Sequence, residues 1–357
     1  MILDNFEKTR EKIDLELKQR LNRKNINNQI YKKKNEIFDK DIYINECILE
    51  MDLYECIFQN TKFINYNFKN VTFFNCIFKN IEFDSCKFND GKDSIIIFEN
   101  NCQFINCTFR NCDLKKVIFK NVSMKNSDFI LSDMRDVIIN MSYLESIYFK
   151  DCDCRSFKVI NSVIGNIEFK DEFITKFNEN TFIDKIDINK VDSSFYERTS
   201  IVYKNIEAIY EANRLFDNAG EYYYLSKCME QKKLKGIDKL KSYIFWILCG
   251  YGERPTYALI TSIEILLIFA IIYMFLGLDI GGNIINYNID FIIKLPIDNL
   301  ALDFFHSLYF SIVTFTAVGY GDITPIGYSI ILSSIEMVLG VTMIGVWTAV
   351  LARKITR

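Results

Sequence analysis

Residues 53–88 read LYECIFQNTKFINYNFKNVTFFNCIFKNIEFDSCKF, and a phenylalanine stands at every fifth position from Phe58 to Phe88. A period of five matches neither a helix nor a strand. Two residues before most of these positions lies a smaller side chain, such as Cys56, Thr61 or Val71. Each five-residue unit therefore supplies one bulky and one smaller inward residue, and leaves Asn, Lys and Asp to face water. The bulky positions of this first register are Leu53, Phe58, Phe63, Phe68, Phe73, Phe78, Phe83 and Phe88.

A second register of the same period covers residues 104–169. Its bulky positions are Phe104, Phe109, Leu114, Phe119, Met124, Phe129, Met134, Ile139, Leu144, Phe149, Cys154, Val159, Ile164 and Phe169. The pattern resembles the pentapeptide-repeat family, whose fold is a right-handed, four-sided β-helix with four repeats per coil. The resemblance implies about five and a half coils, a rod of roughly 25 Å at about 4.8 Å between strands. Residues 91–102 break the phase, so a protruding loop or an offset coil is expected there.

The cysteines follow from the same repeat. Of eleven, seven occupy the smaller inward position, namely Cys56, Cys76, Cys86, Cys102, Cys107, Cys112 and Cys152, and Cys154 occupies a bulky one. The spacing of Cys102, Cys107 and Cys112 suggests a metal site, but a spacing of five is what the repeat produces and no histidine lies nearby. We therefore expect free thiols and no metal site in this domain.

A second informative stretch lies near the C-terminus, where residues 314–322 read TFTAVGYGD. In an extended Val-Gly-Tyr-Gly run, the two glycines can adopt backbone conformations closed to other residues, so successive carbonyls can point at one axis and replace the water around a cation. We interpret the run as an ion-selectivity filter. Its residues are Thr316, Ala317, Val318, Gly319, Tyr320, Gly321 and Asp322, with Tyr320 as a packing strut and Asp322 concentrating cations at the outer mouth.

Composition alone does not make a filter, because residues 250–253 contain a second Gly-Tyr-Gly followed by Glu253. That copy lies beside Arg254-Pro255 and has no pore-helix pattern ahead of it. The later copy is preceded by the largely apolar run from Phe304 to Phe315, which predicts a short helix whose C-terminal dipole favours a cation.

The segment from Leu308 to Pro325 resembles the pore loop of two-transmembrane potassium channels. The resemblance implies K+ coordination by the backbone carbonyls of Ala317, Val318, Gly319 and Tyr320, no other cofactor, and inner-helix hinge glycines at Gly340 and Gly345. The family usually has threonine where this chain has Ala317, so the innermost ion site would lack a hydroxyl ring. Potassium selectivity is expected, and a weakly selective cation pore is the alternative.

Two segments can span about 30 Å of hydrocarbon, at residues 256–278 and 326–352. One filter strand per chain cannot enclose an ion, so a homotetramer is required. Basic residues precede the first span and follow the second, whereas Lys294 is the only basic residue between the two spans. Because cytoplasmic flanks are enriched in basic residues, both termini are expected in the cytoplasm of a plasma-membrane protein. Within the spans, Glu336 falls one turn before Gly340 and could accept from Ser311 or Thr314 and brace the filter, or simply pack protonated between helices. Glu264 has no assigned role.

The sequence thus predicts a multidomain protein: a charged helical segment (1–37), a cytoplasmic β-helix (38–175), a helical linker (176–254) and an all-α pore domain (255–357) with a pore helix at 303–315 and the filter at 316–322. The first segment is expected to be a solvated helix or weak coiled coil. The linker is expected to turn near Gly220 and to end in an interfacial helix, with Ile237, Leu240, Ile244, Ile247 and Leu248 at the membrane surface.

Three functions are consistent with this organisation. The first is a potassium channel gated by an unknown cytoplasmic ligand or protein. The second is a loosely selective cation channel, and the third is a membrane-anchored repeat scaffold. A nucleic-acid partner is not expected from the mixed Lys, Asn and Asp exterior. No catalytic residue is expected either, because the single histidine, His306, falls in the predicted pore helix.

Overall fold

The structure is a computed structural model that describes residues 5–24, 31–89, 94–187, 192–287 and 297–356. The chain divides into two compact units, Met1–Lys233 and Leu234–Arg357. Lys294 and part of the predicted phase break lie outside the described residues. The predicted linker is not one module, because its first helices belong to the first unit and its interfacial helix to the second.

The first unit contains a four-sided parallel β-helix. One face pairs β1 (Tyr31–Lys34), β5 (Met51–Tyr54), β8 (Thr72–Phe74), β10 (Ile97–Glu99), β13 (Ile118–Lys120), β15 (Ile138–Asn140), β17 (Lys158–Ile160) and β20 (Phe182–Ile183) in that order. Two further faces contain β2 (Ile37–Phe38), β3 (Ile42–Ile44), β6 (Ile57–Ile64), β9 (Ile77–Asp84), β11 (Gln103–Ile105), β12 (Thr108–Arg110), β14 (Ser123–Ile130), β16 (Tyr143–Lys150), β18 (Val163–Ile164) and β19 (Ile167–Phe169). The fourth face has β4 (Cys47–Leu49), β7 (Asn67–Lys69) and single bridges continuing to Lys176.

The β-helix is longer than the registers predict. Its first face has eight paired strands, which correspond to about seven turns where about five and a half were expected. Upstream of Leu53, where the predicted first register begins, the same phase continues through Ile48, Tyr43 and Phe38. Downstream, extra residues enter the last coil, so that Lys158 pairs with Phe182 and the five-residue rule no longer applies.

The phase break is an offset coil around a residue that the sequence analysis left out. Phe98 is 1% exposed and stacks between Phe73 and Phe119, at ring-centroid distances of 4.5 and 5.0 Å. Asn100 and Asn101 then both adopt positive φ, of 57° and 68°, which accommodates one extra corner residue. The coils therefore stay in contact across the break.

Asparagine at the corners carries a signal that the sequence analysis treated only as polar exterior. Asn60, Asn65, Asn70, Asn75 and Asn80 all have φ between 49° and 54°. This left-handed region favours asparagine over most other non-glycine residues. The residue two positions after the bulky one thus forms the corner at which the chain turns from one face to the next.

The inward cysteines stack coil on coil and are free thiols. Cys76 lies between Cys56 and Cys102 in one column, with its backbone N–H 3.4 Å from the Cys102 sulfur. Burial raises the pKa of Cys107 and of Cys152 to about 12. Cys102, Cys107 and Cys112 lie on different faces, and among the described residues no group of three or more His, Cys, Asp or Glu side chains could hold a metal ion.

Helix α1 (Asn5–Lys24) is not the solvated helix that its charge density predicts. Ile13 and Leu17 bury against an outward-facing column of isoleucines on the first face, which consists of Ile97, Ile118, Ile138 and Ile160. Arg10 donates to the carboxylate of Asp184 at 2.6 Å, and Lys158 donates to Glu16 at 2.5 Å. The helix therefore covers an apolar strip of the β-helix.

Replacing Leu17 by aspartate is expected to detach α1. Leu17 is 3% exposed, and burial of a leucine contributes about 1.5–3 kcal/mol, to which the cost of a buried charge would add. Limited proteolysis of the full chain should cleave within α1 more than about tenfold faster than in the wild type. Leu15→Asp is the matched control because Leu15 is 59% exposed. Equal cleavage rates in all three proteins would contradict this packing.

Helices α2 (Ser193–Ala212) and α3 (Phe216–Lys233) pack against each other and close the C-terminal end of the β-helix. The Tyr210 hydroxyl donates to the Thr181 carbonyl at 2.7 Å, and the Tyr222 hydroxyl donates to the Ile183 carbonyl at 2.5 Å. The predicted turn near Gly220 is wrong. The chain turns earlier, where Arg214 adopts a φ of 59°, and Gly220 lies buried inside α3.

The second unit is mainly helical. It contains α4 (Gly236–Cys249), a short 3-10 turn (Gly250–Gly252), α5 (Pro255–Leu276), α6 (Ile297–Phe315) and α7 (Ser329–Ile355). A small antiparallel sheet, not predicted, joins β21 (Leu278–Ile280) to β22 (Asn283–Ile285) and β23 (Thr324–Pro325). With 22 and 27 residues, α5 and α7 are long and apolar enough to cross a membrane. Helix α6 begins six residues before the predicted pore helix.

Candidate ion pathway

The filter run follows directly on the C-terminal end of α6. Positive φ values recur at every second residue, with 55° at Ala317, 61° at Gly319 and 79° at Gly321, while Val318 and Tyr320 keep negative φ. The run from Ala317 to Gly321 therefore alternates in the sign of φ from one residue to the next.

The left-handed backbone conformation of Ala317 was not expected, because only the two glycines of the run suggested positive φ. This conformation costs a non-glycine residue roughly 1–2 kcal/mol. Backbone hydrogen bonds to the last turn of α6 fix it: Ala317 donates to Thr314 at 3.0 Å, and Val318 donates to Val313 at 3.0 Å. Residues 317 and 318 are thus bonded directly to the last turn of α6.

The outer end of the filter is tied to the same helix by a side chain that the sequence analysis did not single out. The Tyr309 hydroxyl donates to the Asp322 carboxylate at 2.8 Å. This hydrogen bond to Asp322 raises the pKa of Tyr309. Ala317 and Val318 at one end of the run and Asp322 at the other are thus all bonded to α6.

Behind the filter, Glu336 joins three helices. Its carboxylate accepts from the Tyr273 hydroxyl of α5 at 2.7 Å and from the Ser311 hydroxyl of α6. Glu336, Tyr273 and Ser311 are each 0% exposed, and the Ser311 oxygen also lies 3.1 Å from the Leu266 carbonyl of α5. Thr314, the other donor considered, makes no hydrogen bond to Glu336 among the described residues. Glu264 lies on an exposed part of α5.

Gly340 is in a close packing contact, whereas Gly345 is open. A Cβ built on Gly340 would overlap the carbonyl oxygen of Phe315 and would lie 2.7 Å from its carbonyl carbon and 2.9 Å from its Cα. Nothing lies within 4 Å of a Cβ built on Gly345. Helix α7 runs unbroken through both glycines. Gly340 therefore lets α7 approach the end of the pore helix, a role that the hinge interpretation did not include.

The predicted interfacial stripe on α4 divides into two parts. Ile237, Leu240 and Ile244 are exposed, at 72%, 60% and 46%. Ile247 and Leu248 are half-buried, and Leu248 packs on the cluster of Ala258, Phe315 and Met343. Neighbouring Phe245, at 61% exposure, extends the exposed stripe. The N-terminal half of α4 thus offers an apolar face next to the cationic side chains of Lys239 and Lys241.

Comparison with known proteins agrees with the division of the chain into a β-helical unit and a mainly helical unit. Residues 266–357 match a family model described as an ion channel, and residues 100–138 match one described as pentapeptide repeats, in eight copies. The search of curated proteins gave no match. The chain is therefore a membrane protein that carries an ion channel domain and a pentapeptide-repeat solenoid, and the combination supports an ion channel.

Similar solved structures are pentapeptide-repeat solenoids. Full-length QnrB1, a plasmid-mediated fluoroquinolone resistance protein, is 14% identical over 43% of this chain and 91% of its own, with a TM-score of 0.19. HetL, a pentapeptide repeat protein involved in heterocyst differentiation regulation in the cyanobacterium Nostoc sp. strain PCC 7120, is 6% identical over 43% of this chain and 88% of its own, with a TM-score of 0.14.

Proposed function

We propose that the chain forms a homotetrameric, potassium-selective channel of the plasma membrane. The observation that carries the proposal is the alternating positive φ of Ala317, Gly319 and Gly321 at the end of a pore helix. A row of carbonyls replaces the hydration shell of K+ without side-chain chemistry. We propose no enzymatic activity, which an ion channel domain together with a repeat solenoid supports, and K+ is the cargo.

Exposure within the single chain supports the tetramer. Val318 is 53% exposed and Tyr320 is 72% exposed, although both belong to the most constrained segment of the pore. A filter strand needs facing copies to enclose an ion, and the Tyr320 ring needs a neighbouring copy if it is to act as a packing strut. Four copies around one axis satisfy both requirements.

Charge supports the orientation with both termini in the cytoplasm. From residue 232 to the first predicted span and after the second one, the basic residues are Lys232, Lys233, Lys235, Lys239, Lys241, Arg254, Arg353, Lys354 and Arg357. Cytoplasmic flanks are enriched in such residues. The filter's Tyr320 end then faces outward, and the repeat domain lies in the cytoplasm, where a ligand or protein bound to it would act on the pore through the linker and α4.

Opening requires the inner end of α7 to move, which we propose occurs by a bend within the helix. A bend at Gly340 would have to break the packing of Gly340 on Phe315, whereas nothing lies within 4 Å of a Cβ built on Gly345. Glycine lowers helix stability by up to about 1 kcal/mol relative to alanine, so either position weakens α7 locally. The geometry favours Gly345 as the point of bending.

The test is the reversal potential of the purified full chain in planar bilayers under opposed K+ and Na+ gradients. A value near the K+ potential is expected, and Gly319→Ala should abolish the current because alanine is strained at a φ of 61°. Gly281→Ala is the matched control, since Gly281 has a φ of 58° in the β21–β22 turn and an equally open surrounding.

Other outcomes identify the alternatives. A reversal potential near zero would indicate a weakly selective cation pore, in which the Ala317 methyl replaces the hydroxyl of the innermost site. Absence of current in the wild type, with intact tetramers, would favour the membrane-anchored scaffold.

A further inference from the structure

The second Gly-Tyr-Gly forms a sharp elbow between α4 and α5, which we define as residues Gly250–Arg254. Three successive residues, Gly250, Tyr251 and Gly252, have positive φ of 51°, 57° and 83°. The Tyr251 hydroxyl lies 2.8 Å from the Ser242 oxygen of α4. A non-glycine residue in this conformation is costly and indicates a constrained segment. The elbow is therefore a built turn and not a loose connection.

The elbow holds a buried carboxylate against the pore-lining helix. Glu253 is 1% exposed, and its Oε1 accepts from Nη2 of Arg353 at 2.8 Å. Arg353 lies in the last turn of α7. Gly252 leaves space for the Arg353 side chain, because a Cβ at Gly252 would lie 3.2 Å from Nη1 of Arg353. Burial of a carboxylate is strongly disfavoured unless it is paired, so this bond ties the last turn of α7 to the elbow.

We propose that the Glu253–Arg353 pair holds the pore closed by fixing the inner end of α7 to the elbow. The proposal rests on the proposed channel function, in which an unbent α7 is the closed conformation. In the structure α7 is unbent from Ser329 to Ile355. Because the elbow also ends α4, a movement of α4 would reach the gate through this pair. Glu253 and Arg353 are thus positioning residues for gating and take no part in ion coordination.

The proposal is tested by single-channel recording of Glu253→Gln, Arg353→Gln and the double variant. Each single variant should raise the ratio of open to closed probability about tenfold or more, within the range of typical couplings. Single-channel conductance and reversal potential should stay unchanged, because the filter is intact. The double variant should add little to either single one, since both remove the same interaction. Asp238→Asn, an exposed acid on α4, is the control and should have no effect.

A second measurement does not depend on conduction. Hydrogen exchange of the full chain in lipid nanodiscs should be about tenfold faster in peptides from the last turns of α7 in Glu253→Gln than in the wild type. Unchanged exchange, unchanged or reduced open probability, or additive effects of the two single variants would each overturn the proposal. If the wild type carries no current, the channel function fails, and the exchange rates still decide whether the pair fixes α7.

Discussion

Gly340→Ala is expected to reduce the potassium selectivity of the current and to destabilise the assembled channel, whereas Gly345→Ala should leave the filter intact. The added methyl at Gly340 would occupy the position of the Phe315 carbonyl, with further contacts at 2.7 and 2.9 Å. Both partners are backbone, so neither can swing aside as a flexible side chain would. Overpacking costs typically about 1–3 kcal/mol, and this contact would occur in every copy.

The position of Phe315 makes the effect functional as well as structural. Phe315 is the last residue of α6, and the filter begins immediately after it. A shift of its carbonyl would move the hydrogen bonds that fix Ala317 and Val318 to α6. Selectivity and tetramer stability should therefore fall together.

The measurement is the reversal potential and the thermal stability of detergent-purified tetramers of both glycine variants. If Gly340 acts only as a hinge, Gly340→Ala should lower open probability with unchanged selectivity and unchanged or increased stability, because alanine favours the helix. Gly345→Ala should show that hinge behaviour. A Gly340→Ala channel with wild-type selectivity and melting temperature would refute the packing role.

The five-residue repeat and the Val-Gly-Tyr-Gly run could be recognised from the sequence because each is a local pattern. A five-residue period with paired bulky and small residues defines the β-helix, and Val-Gly-Tyr-Gly after an apolar run is the basis of the filter assignment, which stays a prediction. Both patterns are properties of short segments, because each repeat or strand contacts its neighbours in a regular way. The phase was lost where the regularity changes, as at Phe98 and in the last coil, and the upstream coil was missed because only Phe38 there is a phenylalanine.

Features that depend on contacts between distant residues were not predictable. Ile13 and Leu17 are two apolar residues in a charged helix, and their partners, such as Ile118, occupy positions that normally face water. The packing of Gly340 on Phe315 and the bonding of Glu253 to Arg353 each join residues far apart in sequence. Tyr273 could have been noticed only as a polar group in an apolar span that needs a partner.

Glu336→Ala is the second large effect expected, because it removes the acceptor of two buried hydroxyls. Tyr273 and Ser311 are both 0% exposed; Ser311 keeps the Leu266 carbonyl at 3.1 Å, whereas Tyr273 loses its acceptor, and an unsatisfied buried group costs about 1–3 kcal/mol. The loss separates α5, α6 and α7 behind the filter. We propose that Glu336 braces the filter through Ser311, and we expect the variant to show a lower melting temperature together with a reversal potential shifted away from the K+ value.

The reading in which Glu336 merely packs between helices predicts a different result. Stability would then fall, but surviving channels would keep wild-type selectivity and open probability. Tyr273→Phe removes only the bond to α5 and should cause the smaller change in selectivity, because Tyr273 is not on the pore helix. Ser311→Ala should reproduce the selectivity change and should be non-additive with Glu336→Ala.

Glutamine at the same position provides the conservative comparison, with Glu264→Gln as the control for an exposed carboxylate in a span. The amide of Glu336→Gln keeps one acceptor and presents an NH2 donor to the other hydroxyl, which can accept it. Partial retention of both stability and selectivity is therefore expected. If Glu336→Gln equals Glu336→Ala in both measurements while Glu264→Gln is silent, a charged carboxylate is required. If selectivity is unchanged in every variant, Glu336 supports the fold of the pore domain and not the filter.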